Sequence, residues 1–470
     1  MIRGKAILTT YRTGYALFGA ALLSTLLGST IYAQAQKASP LDAITPEYLI
    51  GDAVSLSNQD YPEIEKAIQR FRNNDAEGAN EFLKNAVEKY PKLPPAQVLF
   101  ARMNLAIRNQ QALRVALFWL DRAVAEVPDD PEAYLILADQ AFSSNRTTDA
   151  QALFEYAAPL VEKYEANTKR KNKFNIRILA GRAAVAQRRA KWEEALKWLQ
   201  LWVESDPESA LAHHRLGQTL FNLEKPREAL EEFTKSHEFD TKNSTAHPYV
   251  SLGQHFSAAG DVEKARKAFE RAYSEDKADE KVAQAFVNWL IAQDDLEEAQ
   301  AIMKALREQK PALQSALMFD GILDVMQGNR ETAIKTLTEI LSLDPSNSQA
   351  TNLLALLLIE SDDSAEQQKA LSHAQVNAQR FADSSIANVT QGWVLYRLGR
   401  QSEAQQYLKK VQQNTLTQDA FYLLARMMVE NGNKEQAANT LEAIINSKKA
   451  AVFIFRRDAE KLFAELKSQG

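Results

Sequence analysis

An alanine returns along this chain at a nearly fixed interval, and that interval limits what the chain can become. Ala79, Ala116, Ala150, Ala195, Ala229, Ala265, Ala299, Ala333, Ala370, Ala404 and Ala437 are 37, 34, 45, 34, 36, 34, 34, 37, 34 and 33 residues apart. Each opens a stretch with apolar residues at helical spacing. A unit of about 34 residues cannot bury its own apolar face, so its neighbours must cover it. The period holds from about Asp60 to Asn446 and leaves no stretch for a separate catalytic domain.

Thr245 to Ala278 shows the unit most clearly. Tyr249, Leu252, Gly253 and Phe256 lie on one face of a first helix, and Ala265, Phe269 and Ala272 on one face of a second. Gly260 suits a left-handed turn between them, Asp261 can cap the second helix, and Pro248 suits only a first helical turn. Leu216-Gly217 precedes Ala229 and Phe233 with the same spacing. Pro91, Pro128, Pro207, Pro311 and Pro345 each follow a marker alanine by 12 residues, where the second helix must stop. Ser361 to Ser364 lengthen the turn before Ala370, the weakest unit.

An aromatic residue, Leu-Gly, a further aromatic, then Ala and Phe resembles the tetratricopeptide repeat. The resemblance implies an all-α protein, a right-handed α-solenoid of about eleven helix–turn–helix repeats. It also implies that first helices line a concave groove whose polar residues contact protein or peptide partners. The groove positions would then be His214, Gln218, His247, Ser251, Gln254, Lys281, Gln284 and Asn288. Some family members hold a C-terminal carboxylate with a Lys-Asn, Asn, Lys-Arg set. At the matching places this chain has His214 and Gln218, Ser251, then Lys281 and Ala285, so one position in five agrees and that clamp is in doubt.

The front end is not repeat. Arg3, Lys5 and Arg12 precede an uncharged, mostly apolar run from Tyr15 to Tyr32, and Ala33-Gln34-Ala35 follows as a small-x-small cleavage site. This order reads as a secretory signal peptide over 1–35, with a periplasmic or secreted mature chain. The rival reading is an uncleaved N-terminal anchor in the inner membrane. Removing the three basic residues takes the net charge of −5 to −8, which favours solubility over adhesion to membranes or nucleic acid. Residues 36–59 have Pro40, Pro46 and Gly51 and no period, and read as a linker or lead-in on which a partner could dock at Tyr48-Leu49-Ile50. Phe455, Ala459, Leu462, Phe463 and Leu466 make one stripe in residues 447–470, as a terminal capping helix requires.

The 45-residue step holds the sharpest charge feature. Its surplus falls in Glu162 to Lys173, which reads as helix carried past its normal stop. Lys163 to Lys191 contain ten basic residues and one acidic residue, Glu165. One reading is a solvated helix elbow. The other is a basic docking patch of Lys163, Lys169, Arg170, Lys171, Lys173 and Arg177 for an anionic partner. Nucleic acid would suit the charge but not the compartment.

Catalytic or cofactor chemistry has little to stand on. There is no Cys, so thiolate metal sites, disulfides and a Cys nucleophile are excluded. Neither a Gly-rich phosphate loop nor a Ser/His/Asp set can be placed, and no cofactor is expected. Five of the six His lie between His213 and His255; His213 holds a core aromatic position, and His237 suits a helix C-terminus. A metal site needs three or four converging ligands, and no carboxylate is placed to join His214 and His247. Trp198 and Trp202 read as packing between units, and Trp393 as either partly buried or an anchor for an apolar ligand group. Glu193-Glu194 and Glu231-Glu232 read as solvated charges, and Asn145, Asn243 and Asn388 open glycosylation triplets. The leading reading is a non-catalytic exported scaffold for protein–protein interaction, in envelope-complex assembly or surface-polymer export. The alternative is a small-molecule, glycan or metal binder using the His and amide groove.

Overall fold

A computed structural model of the protein describes residues 40–54, 60–242, 244–310, 313–412, 415–447 and 452–468. The expected signal sequence, Asn243 and Pro311 lie outside them. Among the described residues the chain is all-α. Eleven helix pairs run from Pro62–Arg72 with Ala76–Lys89 to Gln418–Glu430 with Lys434–Ile445, and the helix Arg456–Ser468 follows. This is the repeat solenoid that the 34-residue period implies. It forms two compact units, one within residues 35–268 and the other within residues 269–470.

The eleven marker alanines are all buried, none more than 1% exposed. A side chain of one carbon lets the second helix lie close to the first, and larger residues on either side fill the remaining space. Most turns between paired helices use one left-handed residue. Gly260, Gly328, Gly399 and Gly432 have φ between 74° and 82°, while Asn74, Arg108, Asn145, Ala190, Glu224 and Asp294 adopt the same region without glycine. In nine of these ten turns the marker alanine follows five residues later. Arg108 precedes Ala116 by eight, because the helix Gln110–Glu126 begins one turn further back. The first 37-residue step is therefore a longer second helix inside a pair. The unit of Ala370 has a wider turn instead, closed where Asp363 accepts a bond of 2.8 Å from the Ala365 amide.

The N-terminal unit departs from the repeat in two places. Residues 40–54, where the sequence shows no period, form a 3-10 turn Pro40–Ala43 and a short helix Pro46–Ile50, capped by the Thr45 hydroxyl. Ile44, Leu49 and Ile50 are wholly buried among residues that include Tyr61, Ile64, Leu99 and Met103. Leu49 and Ile50 are thus not an exposed docking point. The second departure is the 45-residue step. The helix Thr147–Lys163 stops at Tyr164, and most of the surplus lengthens the start of the following first helix, Thr168–Arg188, which reaches 21 residues.

In the C-terminal unit the expected terminal stripe packs. Ala459 and Leu466 are buried and Phe455, Leu462 and Phe463 lie half-buried against the core of the last pairs. The Asp419 carboxylate accepts a bond of 3.0 Å from the Phe455 amide, fixing where this final segment enters. Trp393 is fully buried, with the Arg426 guanidinium 4.3 Å above its ring, so it is not open to a ligand. Asn388 is fully buried too and donates to Ala382 and Ser384 carbonyls, so its triplet cannot accept a glycan in the folded chain.

Gly217 tests the close approach. A Cβ there would stand 2.7 Å from the Phe233 ring and 3.0 Å from the Ala229 carbonyl oxygen. Gly217→Leu should therefore cost about 1–3 kcal/mol by overpacking. Amide exchange should quicken in Ala210–Asn222 and Pro226–Glu238 and stay unchanged in Gln418–Glu430. A uniform change would mean that the repeats do not carry stability locally.

Candidate functional site

The long first helix Thr168–Arg188 brings its early residues against the lead-in, and there the N-terminal unit concentrates its buried charge. Arg170, 2% exposed, donates to Asp130 Oδ2 at 2.9 Å, to Glu132 Oε2 at 2.8 Å and to the Tyr164 hydroxyl at 2.5 Å. Glu132, wholly buried at the start of Glu132–Ser143, also pairs with Arg102 on Ala96–Ala106. Arg102 continues outward to Asp52, with bonds of 3.0 and 2.5 Å to its two oxygens. Two guanidinium groups thus join three carboxylates from the lead-in and the third repeat. Burial works against charge on Asp52, but Arg102 outweighs it and holds that carboxyl below its usual range. Burial raises the Asp130 carboxyl despite Arg170, and pushes the Tyr164 hydroxyl up to about 12.

The same side chains hold the main chain of residues 41–54. Arg72 donates to the Leu41 and Ile44 carbonyls at 3.2 and 3.1 Å. Arg102 reaches the Leu49 carbonyl at 2.5 Å, and Asn167 the Ala53 carbonyl at 2.7 Å. Lys169 spans the Gly51 and Val54 carbonyls at 2.7 and 3.1 Å. In return the Tyr48 hydroxyl donates to the Arg102 carbonyl at 3.1 Å. A helix end leaves carbonyls without intrahelical partners, and cations placed there satisfy them. An open cavity of about 830 Å³ remains beside this segment, bordered by Tyr48, Asp52, Glu132, Asp139, Lys173 and Arg177 among others.

The expected basic patch is therefore only partly a surface. Arg170 is a buried ion-pair centre, Lys169 is spent on the lead-in, and Arg177 pairs with Asp139. Lys171 donates to the Glu162 carbonyl at 2.7 Å, while Lys163 and Lys173 are exposed. Reversing Arg170 would leave Asp130 without its cation and Glu132 with Arg102 alone, and breaking a buried pair costs about 3–5 kcal/mol. Asp130, Glu132 and Arg102 were not singled out by sequence. The one available signal was the surplus length that carries Arg170 to them.

The expected groove positions are distributed over both units. In the N-terminal unit His214 and Gln218 bond to each other at 3.0 Å, and the His214 ring packs on Phe233 with centroids 5.5 Å apart. Ser251 is buried and cannot meet a partner, whereas Gln254 is exposed. His247 is half-buried beside His237 and Tyr249. His213 is core, as its position predicts, and its Nε2–H donates to the Pro207 carbonyl at 2.8 Å. Glu232, half-buried against His213 and Lys235, is more than a solvated charge. In the C-terminal unit Lys281 is exposed, Asn288 is half-buried, and Gln284 donates to Glu280 at 2.7 Å. Among the described residues no group of three or more His, Asp or Glu could hold a metal ion.

Two sequence comparisons find the same repeat. Residues 419–447 match the tetratricopeptide repeat family, and residues 280–382 match a family described as bacterial type III secretion protein (HrpB1_HrpK). A curated relative, tetratricopeptide repeat protein 37 of Xenopus laevis, is 27% identical over 164 residues, which is 33% of this chain and 10% of that protein. The chain thus spans about a tenth of that relative's length. Among solved structures, yeast Tom70 aligns over 87% of this chain and 95% of its own at 15% identity, with a TM-score of 0.37. A tetratricopeptide repeat protein from Parabacteroides merdae aligns over 55% of this chain and 99% of its own at 14% identity, with a TM-score of 0.40.

The histidines predict how this unit responds to acid. Burial pushes both His214 and His255 down to about 4, helped by Arg215 at the first and by His214 at the second. Unfolded, each would titrate near 6.5. The unfolded chain then binds more protons between these values, so their contribution to stability is complete above pH 6.5 and is lost as pH falls towards 4. The His255 ring is stacked on Phe233 with centroids 5.5 Å apart, a place a phenyl ring can take. His255→Phe should shrink the drop in melting temperature between neutral and acid pH. An unchanged drop would show that His255 is not a source of the acid sensitivity.

Proposed function

We infer that this tetratricopeptide-repeat α-solenoid is a non-catalytic scaffold that holds protein partners against the faces of its first helices, and that it works outside the cytoplasm of a bacterium. One observation carries the first part. Side chains from the first, second and fourth repeats bond six main-chain carbonyls of a segment outside the repeats. Main-chain capture of this kind suits a polypeptide ligand whatever most of its side chains are. The exposed Gln254 and Lys281 offer further polar groups on first helices, one in each unit.

Export is supported by the order of basic residues, apolar run and Ala33-Gln34-Ala35. The likeness of residues 280–382 to a bacterial secretion family accords with a bacterial setting. Within the envelope, assembly of a complex or export of a surface polymer is the role proposed, by analogy of fold alone.

Two experiments test this reading. A photo-crosslinking residue at Gln254 or Lys281 should capture partner polypeptides in envelope extract of the producing bacterium, and one at Glu231 or Glu331 on second helices should not. Equal capture from all four positions would remove the preference for first helices. N-terminal sequencing of the exported protein should begin at Gln36. A membrane-bound product with Met1 intact would establish the anchor instead.

A further inference from the structure

We propose that the face carrying Arg102, Asn167 and Lys169 is a docking site for a short helical segment, that residues 44–54 are its resident occupant, and that a partner replaces them with a segment of the same chemistry. That chemistry is two adjacent aliphatic residues with a carboxylate two positions beyond. It rests on the scaffold reading and specifies where one partner binds.

The division of labour at the contact points this way. The repeats contribute side chains, and the segment contributes mainly main-chain carbonyls and aliphatic bulk. Leu49 and Ile50 supply the bulk, and both are wholly buried. The carbonyls of Leu49, Gly51 and Ala53 receive bonds from Arg102, Lys169 and Asn167. Any polypeptide ending a short helix here presents the same carbonyls. Asp52 is the one segment side chain that enters the buried charge network, through both nitrogens of the Arg102 fork. A carboxylate matches that fork in charge and geometry, whereas an amide does not.

The segment also leaves the site incompletely filled. The cavity beside it continues from Tyr48 and Asp52 past Asp139 to Lys173. Lys173 is exposed, and the Asp52 carboxylate feels its charge across the opening. A partner longer than the lead-in gains contacts there, most of all with an acidic residue directed at Lys173. It needs that gain, because a tethered occupant competes at an effective concentration of about millimolar.

The test uses the full chain and two labelled peptides. One carries the sequence of residues 45–54 followed by three glutamates, and the other has asparagine at the place of Asp52. Leu49→Asp puts a charge into an apolar socket and should release the segment. Hydrogen exchange should then show lost protection over residues 44–54 with Ala96–Ala106 still protected. Fluorescence anisotropy should show the variant binding the first peptide about tenfold or more tighter than the wild type does, since the tethered competitor is gone. The asparagine peptide should bind the variant about tenfold more weakly, for want of the charge-assisted fork. Three results would overturn the proposal: no gain in the variant with Ala96–Ala106 protected, equal binding of the two peptides, or loss of protection in Ala96–Ala106 along with the segment. The last would make residues 44–54 part of the core rather than a ligand. If crosslinking at Gln254 and Lys281 still captures partners in any of these cases, the scaffold reading stands and only this site falls.

Discussion

Each repeat depends on how near two helices can come at one alanine. Helices of 11 to 17 residues, such as Pro248–Ala258 and Gln110–Glu126, are marginal alone and persist because an apolar face is covered. Where Ala229 faces Gly217, nothing larger fits, and Phe233 takes up the space beside them. The same small residue recurs in every pair, so the same packing recurs, and stability is distributed rather than centred in one core.

Against that uniform background the Arg102–Glu132–Arg170 cluster stands out as an irregular and expensive feature. Burying charges costs more than their mutual attraction returns unless every group is bonded, and such clusters can often be replaced by apolar packing without loss. Here one oxygen of Glu132 faces Arg102 and the other Arg170. The arrangement serves position more than stability: it sets where the long helix Thr168–Arg188 lies against residues 41–54.

What was legible in the sequence was whatever repeats. The marker alanines, the left-handed residue at Gly260, the cap at Asp261 and the core place of His213 all follow from a pattern seen many times. What was illegible happens once. Arg170 sits in a stretch with ten basic residues and one acidic residue, and a local charge count points to a solvated face because it cannot see Asp130 and Glu132 some forty residues upstream. The lead-in was obscure for a related reason. Ile44, Leu49 and Ile50 are too few to make a period, yet three buried aliphatics suffice to seat a short segment. Ser251 shows the limit of carrying positions over from a family: a residue that would face the groove is turned into the packing.

The bond from Asn167 to the Ala53 carbonyl joins residues 114 positions apart, whereas contacts within one pair span far fewer. A ribosome releases the chain N-terminus first, and repeats can fold as they emerge because their contacts are local. Residues 44–54 are among the earliest described residues to leave the tunnel, yet their anchors Asn167 and Lys169 follow more than a hundred residues later. At about 5–20 residues per second, that interval is about 6 to 23 seconds. During it Leu49 and Ile50 have no complete site and stay open to a chaperone. A segment made early is thus among the last to be seated.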